Sequence, residues 1–279
     1  MRVESLVKEL RNSGETVEII HIEKNGCPLT GLVIGTGEVR GTIYAEHLNW
    51  DNTDAELVKL IRDLIKNDSA REHLKHFQMF SDWDFAKDNI IPCLRRVTND
   101  NAVVIPFHDM QLYFRVFMEY AGGYASTIIQ KDMLKFYGIS EEELQKQVFE
   151  NVKNSYEIKS MKEASQMFCG ECGEEFADYF NVDMLVVTNK NAYYGASAVC
   201  DHEILKIIAE QIGGDYYIIP SSIHEVMIIP TEGWEPEDVN EMIRCANREA
   251  VDPEEQLSDH AYIYKKDAGE IIYEKEVAG

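Results

Sequence analysis

Nowhere in this 279-residue sequence does an unbroken apolar stretch exceed a few positions, far short of the roughly 20 that span a bilayer as a helix. Tandem repeats, low-complexity tracts and Gly/Ser linkers are also missing, which excludes solenoids and tethered arrays. Cysteine is scarce. Four of the six, Cys27, Cys93, Cys200 and Cys245, have no close partner in sequence, so the pattern argues against a disulfide scaffold and for a reducing cytoplasm. The absence of any GxxxxGK[ST] segment excludes a P-loop NTPase, and no GxSxG elbow offers a hydrolase nucleophile.

Positive charge is short as well. Lys and Arg number 27 against 50 Asp and Glu, a formal net charge of −23. Most of the imbalance falls in residues 141–279, where 30 acids face 11 bases. Binding to a nucleic-acid backbone needs clustered cations that displace counterions, so direct DNA or RNA binding is excluded, and anionic membrane surfaces are disfavoured for the same reason. A basic protein partner fits this field, although the ordinary role of excess acid is solubility.

What is present reads as a globular chain, 45% apolar and 28% charged. Val3, Leu6, Val7 and Leu10 recur at helical spacing with charges between them, an amphipathic helix and not the continuous apolar core of an export signal. Residues 16–22 alternate as a strand, Asn25-Gly26 is a hairpin turn, and 29–34 form the returning strand. A helical stripe of Leu57, Leu60, Ile61, Leu64 and Ile65 follows, with Asp54 as its N-cap. Pro92 breaks the segment after the aromatic stretch 77–85. The turn cluster Asn99-Asp100-Asn101 then marks a boundary between an N-terminal lobe, 1–99, and a C-terminal domain, 100–279.

Beyond that boundary, 103–107, 112–119 and 125–129 read as strands, the last two joined at Gly122-Gly123. Residues 184–188 pair with 193–200 across Asn189-Lys190-Asn191; 216–220, 225–229 and a hairpin over 262–273 complete the set. Helices begin at Ser140, with Glu143 closing a capping box; at Asp201, with Ile204, Leu205, Ile207, Ile208 and Ile212 inward and Gly213 as the stop; and at Pro236. Adjacent strands separated by single helices imply an α+β fold, an antiparallel sheet with helices packed on it, preceded by a smaller α+β lobe.

Few segments carry chemistry. Cys169 and Cys172 have the spacing of half a zinc ribbon, which Cys200 and His202 would have to complete; the plainer reading is a loop with free thiols. Gly35-Thr36-Gly37 lacks the third glycine and the helix of a phosphate loop. No cofactor is implied. The densest polar cluster is Ser221-Ser222-Ile223-His224-Glu225. If it is extended, Ser222 and His224 share one face, and Asp259 is the candidate third member of a nucleophilic set. The competing reading is a hydroxyl-rich bend with His224 bonded to backbone. His224-Glu225 is not the start of a metalloprotease helix, because Ile228 stands where the second histidine belongs. The acidic run 232–241 is either a solvated helix start or a docking surface anchored by Trp234.

Several segments together resemble an uncharacterised family of anaerobic Gram-positive gut bacteria and their mobile elements: 22–26 with 29–32, 137–144, 187–190, and above all Pro220-Ser221-Ser222-Ile223-His224-Glu225-Val226 and Leu257-Ser258-Asp259-His260-Ala261-Tyr262. The resemblance implies no assigned reaction. It directs attention to Ser221, Ser222, His224, Asp259 and His260. The expectation is a non-catalytic accessory protein that binds a basic macromolecule, in its most specific form an inhibitor of a defence enzyme. The alternative is a hydrolase-like or small-ligand protein using Ser221, Ser222, His224 and Asp259.

Overall fold

The computed structural model describes residues 2–36, 40–66, 78–120, 123–164 and 184–273. Its contacts divide the chain into two units, Met1–Asp82 and Trp83–Gly279. The cluster 99–101 therefore lies inside the second unit. Strand β4 (Ile90–Arg96), upstream of it, pairs along its length with β6 (Met110–Tyr120), downstream.

In the first unit, helix α1 (Arg2–Asn12) and helix α2 (Asp54–Lys66) cover an antiparallel sheet of β1 (Val17–Lys24), β2 (Cys27–Ile34) and β3 (Gly41–Tyr44). Leu6, Val7 and Leu10 of α1 meet Leu32, Ile34, Leu57 and Ile61 in one buried cluster. Asn25 and Gly26 both take positive φ, 50° and 78°, as a two-residue hairpin turn with the right-handed strand twist requires. The cap of α2 is one residue earlier than the sequence suggested. The Glu56 N–H reaches Thr53 Oγ1 (3.4 Å) and the Thr53 N–H reaches Glu56 Oε2 (2.8 Å), so Asp54 is the first helical residue. Leu60 and Leu64, 52% and 64% exposed, turn away from the sheet.

The second unit contains two antiparallel sheets among its described residues. In the first, β6 pairs with β4 on one edge and, on the other, with β5 (Val104–Phe107) and then β7 (Gly123–Ile128). Pro92 does not break the chain here. It sits in β4, which among the described residues is paired only by β6, at an edge where a residue without an N–H is tolerated. Helix α3 (Trp83–Asn89) leads into β4, and α4 (Met133–Tyr137) precedes α5 (Glu141–Val152), which begins with the expected Ser140–Glu143 capping box. Asn151 of α5 donates to the carbonyls of Lys87 (2.7 Å) and Ile90 (3.0 Å).

The larger sheet runs β13-β12-β10-β11-β9-β8, built from β8 (Tyr156–Ser160), β9 (Leu185–Asn189), β10 (Tyr216–Ile219), β11 (Val226–Pro230), β12 (Tyr262–Lys265) and β13 (Glu270–Ile272). All four residues of β10 are buried, because both sheet faces are covered. On one face Ile218, Val226 and Tyr262 meet Leu94, Phe107 and Met110 of the four-stranded sheet. Helix α6 (His202–Ile212) also receives Tyr216, whose hydroxyl donates to the Leu205 carbonyl (3.0 Å). On the other face Tyr217, Ile219 and Ile229 pack with Val239 and Ile243 of helix α7 (Pro236–Glu249).

Two details differ from expectation. Ile207 is 49% exposed, since α6 buries only Leu205, Ile208 and Ala209. Residues 195–200 form a 3-10 helix in place of a strand: β9 already pairs with β8 and β11, so neither edge is open to it. Among the described residues, no helix is long and apolar enough to cross a membrane.

Candidate functional site

Ile219 ends β10 and Val226 begins β11, so Pro220–Glu225 is the connection between two central strands. Its side chains fold inward on themselves. The Ser221 hydroxyl lies 2.9 Å from Glu225 Oε1 and 3.0 Å from the Glu225 carbonyl, and the Ser222 hydroxyl donates to the same Oε1 (3.0 Å). Ser222 Oγ in turn accepts the His224 N–H (2.9 Å). The His224 carbonyl accepts from Thr188 Oγ1 (2.8 Å) and from the Gly195 N–H (2.9 Å), which fastens the turn to β9 and to the 3-10 segment.

The imidazole of His224 is used at both nitrogens. Nδ1 accepts the Tyr194 N–H (3.2 Å), which places the ring proton on Nε2, 3.3 Å from Glu255 Oε1. Tyr193 stacks on the ring, centroids 5.0 Å apart at 29°, and Tyr194 beside it lies under the Arg115 guanidinium at 5.3 Å. A general base needs a free lone pair aimed at the nucleophile's proton. His224 has given its lone pair to backbone, and Ser222 has given its proton to Glu225. The bend expected as the plainer reading is what these contacts build.

Asp259 is not part of this set. Its Oδ1 accepts from Asn247 Nδ2 (2.8 Å) and lies 3.8 Å from Arg96. The carboxylate that meets His224 is Glu255, which sequence reasoning missed; 31 positions separate the two, and no local periodicity links them. The Glu255 carbonyl also accepts the Ile223 N–H (2.9 Å).

His260 faces another neighbourhood. Its Nε2 lies 2.9 Å from Asp109 Oδ2 and its Nδ1 lies 3.1 Å from the Ala261 carbonyl, so both nitrogens point at acceptors, an arrangement that favours the doubly protonated ring. Tyr273 stacks on it at 5.1 Å, and the Tyr262 hydroxyl donates to Asp109 Oδ1. The hydrogen bond to Asp109 raises the His260 pKa above its ordinary 6.5. Burial pushes the Asp109 carboxyl up, but the hydrogen bonds from His260 and Tyr262 outweigh it and bring the pKa down to about 2. The stabilisation from His260 is complete below 6.5 and is lost as pH rises through its raised value. That from Asp109 is complete above 3.8 and is lost as pH falls toward about 2. Stability from this pair therefore peaks between about pH 4 and 6.5. With Asp109 37% exposed, screening leaves about 1 kcal/mol, and Asp109→Asn should remove it together with the decline that sets in above pH 6.5. Urea unfolding from pH 4 to 9 checks this; an unchanged pH profile in the variant refutes it.

Of the zinc candidates, Cys169 and Cys172 lie outside the described residues. Burial raises the pKa of the Cys200 thiol, and His202 is exposed at the start of α6. Among the described residues, no group of three or more His, Cys, Asp or Glu side chains is placed to hold a metal ion. Trp234 is half-buried against the Tyr217–Ile243 cluster. The acids of α7 are interleaved with arginines: Arg244 bonds Glu237 and Glu241 (3.1 Å), and Arg248 lies 3.5 Å from Glu241. Glu237 and Glu241 are therefore met on the helix itself, while Asp238 and Glu249 are exposed.

The turn, α7 and β10–β11 together enclose an open cleft of about 620 Å³. Met184, Ile219, Met227, Met242 and Ile243 supply its apolar wall, while Ser221, Ser222, His224, Glu225, Asn247 and Glu255 supply its polar edge. Its acidic lining groups are Glu225 and Glu255, and neither lysine nor arginine lines it. The methionines and α7 gave no sequence signal as a site, because helical spacing of apolar residues reads first as core.

A family model described as "Family of unknown function (DUF5688)" matches residues 1–266. No curated protein and no solved structure matches the chain.

Proposed function

The chain belongs to that family of unknown function, and on this premise we propose that it is a non-catalytic binding protein whose cleft receives apolar side chains of a basic protein partner. One observation carries the reading: in an otherwise apolar cleft of ligand-binding size, the hydroxyls and imidazole that would do chemistry are already committed to one another and to backbone. What remains to face a ligand is apolar surface and negative charge. Because Arg244 and Arg248 pair Glu237 and Glu241 and so interrupt the acids of α7, recognition runs through the cleft and not through a row of carboxylates spaced like phosphates. In the most specific form of the proposal, the partner is a nucleic-acid enzyme of a defence system, whose phosphate-binding groove is necessarily basic, and the chain is a mobile element's cytoplasmic inhibitor of it.

The test is uptake of the neutral dye Nile red by the folded protein. Saturable binding that Ala246→Trp abolishes by filling the cleft is the expected result. Turnover of an esterase or phosphatase substrate that disappears in Ser222→Ala would instead establish the hydrolase-like alternative.

A further inference from the structure

The strands that wall the cleft decide what kind of segment fits it. Strand β9 is paired on both sides, by β8 and β11; β10 is paired by β11 and β12; and β11 is paired by β10 and β9. No strand bordering the cleft therefore offers a free edge. An extended peptide entering it would bury main-chain N–H and C=O groups against methionine and isoleucine with no ladder to join, at a cost of roughly 1–3 kcal/mol for each unpaired group. A helix brings its backbone hydrogen bonds with it.

The helical wall is shaped for such an occupant. Met242, Ala246 and Ala250 stand at i, i+4 and i+8 of α7 and at its end; all three are exposed, and all three line the cleft. The small Ala246 and Ala250, one turn apart, let a second helix approach closely, and the three methionines of the wall, Met184, Met227 and Met242, adapt to apolar side chains of differing shape. Charge then selects among amphipathic helices. Glu225 and Glu255 are the acidic lining groups, the hydrogen bonds from Ser221, Ser222 and His224 fall on their Oε1 atoms, and the exposed Glu249 and Asp252 flank Ala250 and Val251 at the rim. An acidic helix is repelled; one carrying Lys or Arg beside its apolar stripe is attracted, its long stems lying along the wall while their heads meet the carboxylates.

We infer that the cleft is a docking groove for a basic amphipathic helix of the partner protein, with apolar residues at i, i+3 or i+4, and i+7 on the methionine wall and cationic residues at Glu225 and Glu255. This rests on the cleft being the binding site, and the experiment separates the two statements. The probe is a fluorescent amphipathic Leu/Lys peptide of roughly 14 residues, compared by anisotropy at low and high salt with its Leu/Glu counterpart and with dodecylamine as a small apolar amine. The Leu/Lys peptide should bind. Ala246→Trp and Met242→Lys, both at exposed positions, should each weaken binding at least tenfold, with unchanged far-ultraviolet circular dichroism. The double variant Glu225→Gln, Glu255→Gln keeps an acceptor for the serines and His224, yet should weaken binding several-fold at low salt and flatten its salt dependence. Glu237→Gln, outside the cleft, should change little.

Equal binding of the Leu/Glu peptide would overturn the inference. So would indifference to Ala246→Trp, which marks general attraction to an acidic surface, or saturation by dodecylamine that the peptide does not displace. If Nile red enters and Ala246→Trp excludes it, but the Leu/Lys peptide does not compete, the cleft stands as a binding site and the basic helix falls. If neither probe enters, both fall.

Discussion

Gly195→Ala should lower the stability of the second unit by about 4 kcal/mol, a large loss for a single added methyl group. A Cβ at this position would sit 2.3 Å from Thr188 Oγ1, 2.5 Å from the Asn189 nitrogen and 2.7 Å from the His224 carbonyl oxygen. Two of the three are backbone atoms, one in β9 and one in the turn that forms the polar edge of the cleft, so no rotamer change relieves the overlap. Moving the 3-10 segment outward stretches the Gly195 N–H bond to His224 (2.9 Å) and draws Tyr194 from the His224 ring. Overpacking costs up to about 3 kcal/mol and the lost hydrogen bond about 1 more. Gly213→Ala is the control. It meets nothing within 4 Å, and only its φ of +87° is strained, for about 1–2 kcal/mol. Urea midpoints of both variants decide the matter; equal losses would mean that the tight packing around Gly195 is not real.

The second large effect is expected at Asp100. Arg95, with only 6% of its side chain exposed, donates both terminal nitrogens to this carboxylate, at 2.7 and 2.8 Å, and lies 4.4 Å over the Tyr113 ring. The Arg95 hydrogen bond holds the Asp100 carboxyl below its ordinary pKa despite partial burial. Asp100→Ala leaves a guanidinium without its counter-charge and frees the Ala102 N–H that Asp100 also accepts (3.1 Å). The loss should be about 2–3 kcal/mol, less than a fully buried pair would cost, because the Asp100 side chain is 42% exposed. Adding Arg95→Met removes the stranded cation, so thermal melts should find the double variant more stable than Asp100→Ala alone. A double variant that is worse by the full cost of Arg95→Met would show that the two residues are not coupled.

Both variants act where the sequence was hard to read. Signals confined to a few residues were legible: the Asn25-Gly26 turn, the Ser140–Glu143 box, and Asp201 and Gly213 at the two ends of α6 all stand as the sequence indicates. Each depends on φ preference or on a side chain reaching its own backbone. The antiparallel α+β architecture followed from the order of these local elements. Residues 195–200 were misread because what excludes a strand there lies in other segments, in the occupied edges of β9 and in the carbonyl of His224. The serines and His224 were visible as a polar cluster, yet their partners were not. Nothing local distinguishes Glu255, which meets His224, from Asp259, which does not. A cleft wall of methionines is likewise invisible until α7 is placed against β10 and β11.

Pro92 and Asn151 have a consequence at high protein concentration. The side of β4 away from β6 is where another chain would have to add a strand. At its start the Ile90 carbonyl is already taken by the Asn151 amide, and one pleat further on Pro92 has no hydrogen to give. Two successive sites of the hydrogen-bond ladder are thus closed to an incoming backbone, and the border is a poor seed for edge-to-edge growth and fibre formation.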